Sequence, residues 1–235
     1  MVHNKAKEFE LIIPDLENEE SVTQTFRRLS PDRRQAVLDA LFEEAAEKGP
    51  GRLNIKQVAE RSGASIGSLY QYFGNRQNLV RFFTRIAVDS MVALLRMCAP
   101  AYKGVPVRQA LRSYLMEGIR LCQSQKSLTK FLTLSAYQGD EEIGRTVVRP
   151  IATVMRETAR DLLQMGIDRG EIRPDIDLET VSRAVNVLLI ALGDSQIVPS
   201  LNIYFQVSDA EVPFERTLDA GLDMILYGIA VKSSP

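Results

Sequence analysis

From Ser30 onward the apolar residues of this chain return every three or four positions, and glycine, proline and serine punctuate the runs. That period is the α-helical one. No segment shows the two-residue alternation of a half-buried strand, so the chain is expected to be all-α. Ser30-Pro31 marks the first helix, a hydroxyl N-cap followed by proline at the first helical position, where its missing N–H costs nothing. Val37, Ala40, Leu41 and Glu44/Ala45 keep the spacing until EKGPG, residues 47–51, ends it. Asn54 is expected to cap a second, short helix with Ile55, Val58 and Ala59 on one face, and Ser65 a third that runs to about Phe73. A fourth starts at Asn75 and carries Leu79, Phe82/Phe83, Ile86, Ala87/Val88, Met91 and Leu94/Leu95.

Beyond Pro100 the pattern predicts helices at about 106–122, 126–137, 140–169, 178–194 and 213–232. Pro150 lies inside the third of these, and a kink or break is expected there because proline removes a backbone donor and crowds the preceding turn. RGEIRPDID, residues 169–177, reads as a turn ending in an Asp177 cap, and residues 195–211 as either a short helix or an ordered loop. The expected architecture is two helical domains that share the helix beginning at Asn75.

Composition narrows the chemistry. With 235 residues, 45% hydrophobic and 25% charged, there is material for one large or two modest domains. The formal net charge of −1 does not announce a nucleic-acid partner, so any basic surface must be local. Between residues 52 and 85 the six cations Arg52, Lys56, Arg61, Arg76, Arg81 and Arg85 face Glu60 alone, a net +5. Residues 1–29 instead net −2, an acidic leader and a poor phosphate ligand. Its apolar cluster, Phe9, Leu11, Ile12 and Ile13, is either a docking segment or part of a loose tail. Cys98 and Cys122 form neither a disulfide framework nor a metal knuckle, which fits a reducing cytoplasm. No stretch approaches the ~20 apolar residues that span a bilayer. The only histidine is His3, so triad catalysis and His-bound zinc lack material, and no catalytic site, metal site or cofactor is expected. The glycines of GPG at 49–51 follow a helix and lack the lysine-hydroxyl pair of a P-loop.

RSGAS, residues 61–65, is a short glycine-containing connection between two short helices, the form of a helix-turn-helix. In that motif the second helix lies in the major groove and offers its first turn to base edges. Ser65 and Ser68 are short enough for close backbone approach, and their hydroxyls can bond phosphate or base. Gly67 removes bulk from the same face. Leu69 and Phe73 are four apart and should face the core, whereas Tyr70 and Gln71 face elsewhere. Tyr72 can pack its ring and aim its hydroxyl at a phosphate.

GASIGSLYQYFGNRQNL, residues 63–79, resembles the recognition segment of TetR-family transcriptional regulators. Gly63, Ser65, Gly67, Leu69, Tyr70, Tyr72, Phe73, Asn75, Arg76 and Leu79 match that pattern as they stand. RRQAVLDALFEEAAEKG and LNIKQVAERSG resemble the family's first two helices, and DRGEIRPDIDLETVSRAVNVLLIALGD and LDAGLDMILYGI its last two. Ala45 stands where the family usually has phenylalanine, with Phe42 one turn earlier, and Gly74 and Gln77 replace the commoner lysine and acidic residue.

Carried over by position, the resemblance implies DNA contacts from Asn54, Lys56, Ser65, Ile66, Ser68, Tyr70, Gln71, Tyr72 and Arg76. Ile66 and Gln71 are expected to read bases, and Tyr72, Arg76 and Asn54 to hold phosphates. The same resemblance implies a helix-turn-helix domain over 30–77 and an effector-binding and dimerisation domain over 78–235. Helix-turn-helix readers usually bind as two-fold dimers. The stripes Val181, Val185, Leu188, Leu192 and Leu218, Leu222, Ile225, Ile229 either face a partner in a four-helix bundle or form only the chain's own core, and the resemblance favours the bundle.

A small apolar organic effector is also implied, with Met91, Met97, Tyr114, Met116, Phe131, Tyr137 and Met155 as candidate pocket walls. The expected function is a bacterial, cytoplasmic repressor that binds a palindromic operator as a homodimer and is released by that effector. The alternative is a DNA-binding regulator governed by a protein partner or by nothing.

Overall fold

The computed structural model describes residues 21–49, 52–98, 102, 104–124, 126–137 and 139–229. The cluster Phe9 to Ile13 lies outside the described residues, as do Pro50, Gly51 and everything after Ile229. Among the described residues the elements are helical: α1 Gln24–Arg27, α2 Pro31–Lys48, α3 Ile55–Ser62, α4 Ile66–Phe73, α5 Arg76–Cys98, α6 Val107–Ser124 and α7 Lys126–Tyr137, then α8 Glu141–Ile143, a π turn Gly144–Val148, α9 Arg149–Asp168, α10 Leu178–Ile197, α11 Pro199–Phe205 and α12 Phe214–Ile229. None of them is long and apolar enough to cross a membrane. The chain forms two units, and α5 contributes to both, since the division falls between Ala93 and Leu94.

The first unit holds the described residues up to Ala93 together with Ser127–Pro150. Its helix starts follow the local chemistry closely. Asn54 Oδ1 accepts the Lys56 N–H at 3.1 Å and Ser65 Oγ accepts the Ser68 N–H at 2.9 Å, each satisfying a donor that the first helical turn leaves open. Ser30 occupies the N-cap position before Pro31 but makes no side-chain cap bond. Gly63 ends α3 at φ +67°, a left-handed conformation that glycine adopts without cost and that turns the chain into α4.

Aromatic rings make the centre of this unit. Phe26 is fully buried, with ring centroids 5.2 Å from Phe73 and 5.3 Å from Phe82, and Phe83 bridges Phe42 and Phe131 at 5.0 and 4.8 Å. Residues 21–29, assigned to the leader from sequence, therefore supply a core residue. Their charge hid it. Glu44 is also fully enclosed; its Oε1 accepts the Asn54 N–H at 3.3 Å and its Oε2 lies 3.5 Å from Arg61 Nη2. The same Arg61 nitrogen donates to Glu47 at 2.8 Å, which holds the Glu47 carboxyl below its ordinary range. Charge pairing thus fixes α3 to α2 at the point where the helix-turn-helix begins.

Pro150 has the effect expected of it, in a specific form. The turn before it widens to the π pattern, with the Arg149 N–H bonded to Gly144 O, five residues back, just before the residue that has no N–H to give.

The second unit comprises Leu94–Lys126 and the chain from Ile151 onward. Leu111, Leu163, Val185, Leu189, Leu218 and Leu222 lie at its core, each no more than 1% exposed. Glu171 Oε2 accepts the Val107 N–H at 2.6 Å and so caps α6 from the turn after α9. Asp177 caps α10 by accepting both the Thr180 N–H at 3.1 Å and the Thr180 hydroxyl at 2.6 Å. The Thr180 hydroxyl, with its backbone N–H, keeps that carboxyl below its usual range. Arg108 and Arg112 of α6 reach Asp219 and Asp223 of α12 at 2.8–3.3 Å, a half-exposed seam of the kind worth at most about 1 kcal/mol per pair. The uncertain stretch 195–211 resolves into the end of α10, the short α11 and a loop that Asn202 ties by bonds to Ser208.

Gly166 is the tightest point. A Cβ there would stand 2.9 Å from Ile172 Cδ1 and 3.1 Å from Val107 Cβ and Cγ2. Gly166→Ala is expected to lower the stability of this unit by about 1–3 kcal/mol through overpacking, because the Val107 atoms sit close to backbone that cannot retreat. Thermal unfolding followed by circular dichroism checks it. An unchanged melting temperature would show that the neighbours give way.

Candidate nucleic-acid interface

The helix pair α3–α4, with the Gly63 turn between, presents one face of α4 to solvent. Ile66 and Tyr70 are 44% and 45% exposed, and Ser65, Gly67 and Gln71 are exposed with them, while Leu69, Tyr72 and Phe73 turn inward. This split follows from the sequence. Positions 69, 72 and 73 share one helical face, and 66, 67, 70 and 71 the opposite one.

Several predicted contacts carry a structural duty as well. Ser65 and Ser68 are tied to each other, with their hydroxyl oxygens 2.8 Å apart, so the first use of both is to build the start of α4. Asn54 spends its side-chain oxygen on the α3 cap. Lys56 is 72% exposed and only 4.0 Å from Glu60, a pair too loose to hold it. Arg76 Nη2 donates to Leu53 O at 3.4 Å, which braces the approach to α3 from the start of α5. Tyr72 is 7% exposed, and its ring packs 5.8 Å from Phe26 and 6.2 Å from Phe73.

A contribution that sequence reasoning missed comes from the other side of α4. The Thr23 N–H donates to Tyr72 O at 2.9 Å, and its hydroxyl approaches Gln71 O at 2.7 Å and Tyr72 O at 3.0 Å. These are carbonyls of the last turn, which a helix cannot satisfy internally. The available signal was the charge break inside the leader: residues 1–20 net −4, whereas 21–34 net +3 through Arg27, Arg28, Arg33 and Arg34 against Asp32.

The apolar stripes of the second unit divide by exposure. Of the stripes left open between a dimer face and the chain's own core, Val185, Leu192, Leu218 and Leu222 are at most 3% exposed and belong to the core. Val181, Leu188 and Ile225 are half-buried against it, and the Ile229 side chain lies outside the described residues. Helices with two apolar faces mislead a periodicity argument, since the more hydrophobic face turns inward. The outward apolar stripe is instead Ala184 and Val187 on α10 with Ala220, Met224 and Tyr227 on α12; Val187, Met224 and Tyr227 are 67%, 79% and 84% exposed. The two helices are held close beside it, where a Cβ on Gly221 would come 3.1 Å from Leu188 Cδ2.

The candidate effector contacts are divided between the units. Met91 and Phe131 are buried in the first, where Tyr137 is 48% exposed on the last turn of α7. Tyr114 is buried in the second, with Met116 and Met155 partly covered, and the side chain of Met97 lies outside the described residues.

A short glycine-hinged helix pair with a solvent-facing second helix, in a chain with a second helical unit of similar size, has the form of a helix-turn-helix protein. The chain belongs to the TetR family: residues 37–81 match the model for bacterial regulatory proteins of the tetR family, and 104–191 that for the tetracyclin repressor-like C-terminal domain. It is 29% identical over 185 residues to the uncharacterised HTH-type transcriptional regulator YfiR of Bacillus subtilis, covering 77% of this chain and 85% of that one. It is 24% identical to the HTH-type transcriptional repressor KstR2 of Rhodococcus jostii, over 64% and 73% of the two chains. Among solved structures, the regulator FadR from Bacillus subtilis in complex with stearoyl-CoA superposes with a TM-score of 0.60 at 18% identity, covering 82% of this chain and 95% of that one.

Proposed function

We propose that this TetR-family regulator is a repressor that binds a two-fold-symmetric DNA operator as a homodimer and is released by a small, largely apolar organic effector. The observation that carries the DNA reading is the outward face of α4, where Ile66, Tyr70 and Gln71 stand free of the core on a helix start kept short by Ser65, Gly67 and Ser68. Such a face suits a major groove, with Gln71 able to pair with an adenine edge and Ile66 to meet a thymine methyl. Two copies are needed, because one short helix reads too few base pairs, and the stripe around Val187, Met224 and Tyr227 supplies a surface for pairing. The effector reading draws on relatives that include the stearoyl-CoA complex of FadR. Its requirement is thermodynamic: an effector releases DNA only by binding the released arrangement better than the bound one. Tyr114, Met116 and Met155 in the second unit are the candidate contacts.

Selection of duplexes from a random pool by the purified protein, at two salt concentrations, tests this reading. A palindrome with half-sites about one or more helical turns apart is expected, and recovery of no motif would overturn it. Gln71→Ala is expected to relax preference at one base pair per half-site, at a cost of about 1–3 kcal/mol of discrimination. Arg76→Ala should weaken all duplexes alike. Because Tyr72 packs, Tyr72→Phe is the informative change at that position, and full retention of affinity would remove its hydroxyl from the list of phosphate ligands.

A further inference from the structure

We infer that the buried Glu44 is a positioning residue of the DNA reader: its carboxylate fixes how α3 lies on α2, and with it the direction in which the Gly63 turn delivers α4. The inference rests on the reading of α4 as the helix that enters the major groove. It adds a side chain that is wholly enclosed and so touches no DNA, yet decides how well one sequence is told from another.

Apolar packing alone leaves α3 loosely placed. Its buried residues are Val58 and Ala59, neighbours in the middle of an eight-residue helix. Burial is non-directional, and at one central point it acts as a pivot about which either end of α3 could swing. Glu44 holds both ends. Its Oε1 accepts the N–H of Asn54, the residue that caps the start of α3, at 3.3 Å, and its Oε2 lies 3.5 Å from Nη2 of Arg61 in the last turn. At ~1.5 Å per residue these two positions are about 10 Å apart along the helix, and the length of the arginine side chain lets one carboxylate serve both. The half-exposed Glu43 and Glu47, 3.9 and 2.8 Å from the same guanidinium, hold Arg61 against α2 from the solvent side. Only Ser62 separates Arg61 from the Gly63 turn, so a swing of α3 passes directly to the base-reading face.

The arrangement is a poor one for stability. A buried ion pair recovers its lost hydration only where the geometry is tight and the remaining lone pairs are satisfied. Here the Asn54 contact is long, and Glu44 Oε2 has the 3.5 Å ion pair but no hydrogen bond among the described residues. Apolar side chains of similar volume often replace such a pair without loss of stability. Direction is what they do not replace, since a carboxylate between two fixed donors accepts one placement of α3 and a methyl group accepts many.

The test compares melting temperature with binding to two duplexes, the selected one and a scrambled one of the same length and composition. Glu44→Met combined with Arg61→Met should melt at or above the parental temperature. Its affinity for the selected duplex should fall by about 10–100-fold, the size of a lost base contact, with binding to the scrambled duplex unchanged. Glu44→Gln keeps Arg61 and an acceptor for the Asn54 N–H while removing the negative charge, and should lose selectivity in the same direction by a smaller factor. Parental selectivity in both variants would overturn the positioning role. A lowered melting temperature with equal losses on the two duplexes would overturn it as well, being the mark of a residue that serves the fold alone. If the double variant weakens on both duplexes and Glu44→Gln on neither, Arg61 is itself a phosphate contact and Glu44 positions nothing. A parent that prefers neither duplex removes the reading of α4 first and this one with it.

Discussion

Phe26→Ala is expected to cost about 3–5 kcal/mol, the ordinary consequence of emptying a fully buried ring position. The site has little capacity to collapse, because Phe73 and Phe82 are themselves in ring-to-ring contact at 5.1 Å and are held by two consecutive helices, α4 and α5. For a unit of this size that corresponds to a fall in melting temperature of more than about 10 °C, read by calorimetry. The substitution also tests whether residues before Ser30 belong to the DNA-binding unit. A leader that merely rests on the surface would leave the melting curve where it was. Operator affinity should fall with stability, since the same ring supports Tyr72 and Phe73 at the end of the recognition helix.

The other large effect is expected at the opposite end of the chain. If α10 and α12 pair with a second copy as proposed, Met224→Glu combined with Tyr227→Glu sets four carboxylates against one another across the two-fold, and sedimentation should then report a single protomer. Both residues are more than three-quarters exposed in the isolated chain, so the change should leave protomer stability nearly untouched. Loss of the second half-site removes the avidity of a paired reader, and affinity for the intact palindrome should drop by about 10²–10⁴-fold, with half-site binding retained. Val185→Ala or Leu222→Ala should behave in the reverse sense, lowering the melting temperature before changing the oligomeric state, because both side chains are wholly internal. A dimer that survives the double glutamate change would move the pairing surface elsewhere, with Ile203 and Tyr204 of α11 the remaining exposed apolar pair in that unit.

These contrasts indicate which physical signals a sequence transmits. Caps are local, and Asn54, Ser65 and Asp177 are found making the bonds their positions predict. The helix-turn-helix is local too, as is the disturbance around Pro150. Helix α11, left open between a short helix and a loop, had a usable sign in Pro199 at its first turn that the apolar run around it obscured. Orientation is different. Helices α10 and α12 are apolar on two faces, and nothing along a single helix says which face meets its own chain. Buried charge is also invisible in one dimension, for Glu44 sits among exposed glutamates and is distinguished only by Arg61 and Asn54 arriving from the next helix. The buried Phe26 was hidden for a related reason, in that a summed charge over residues 1–29 averaged an acidic stretch with the start of a basic one.

The Thr23 bonds span 48 and 49 positions of sequence. In kinetic terms, the turn between α3 and α4 closes over a few residues and can form early, while the final carbonyls of α4 must wait for a loop of that length to close, a slower event with a larger entropic cost. Amide exchange in the last turn of α4 is therefore expected to report the arrival of the amino-terminal segment, so that α4 becomes rigid along its whole length only when the earliest-synthesised described residues have docked.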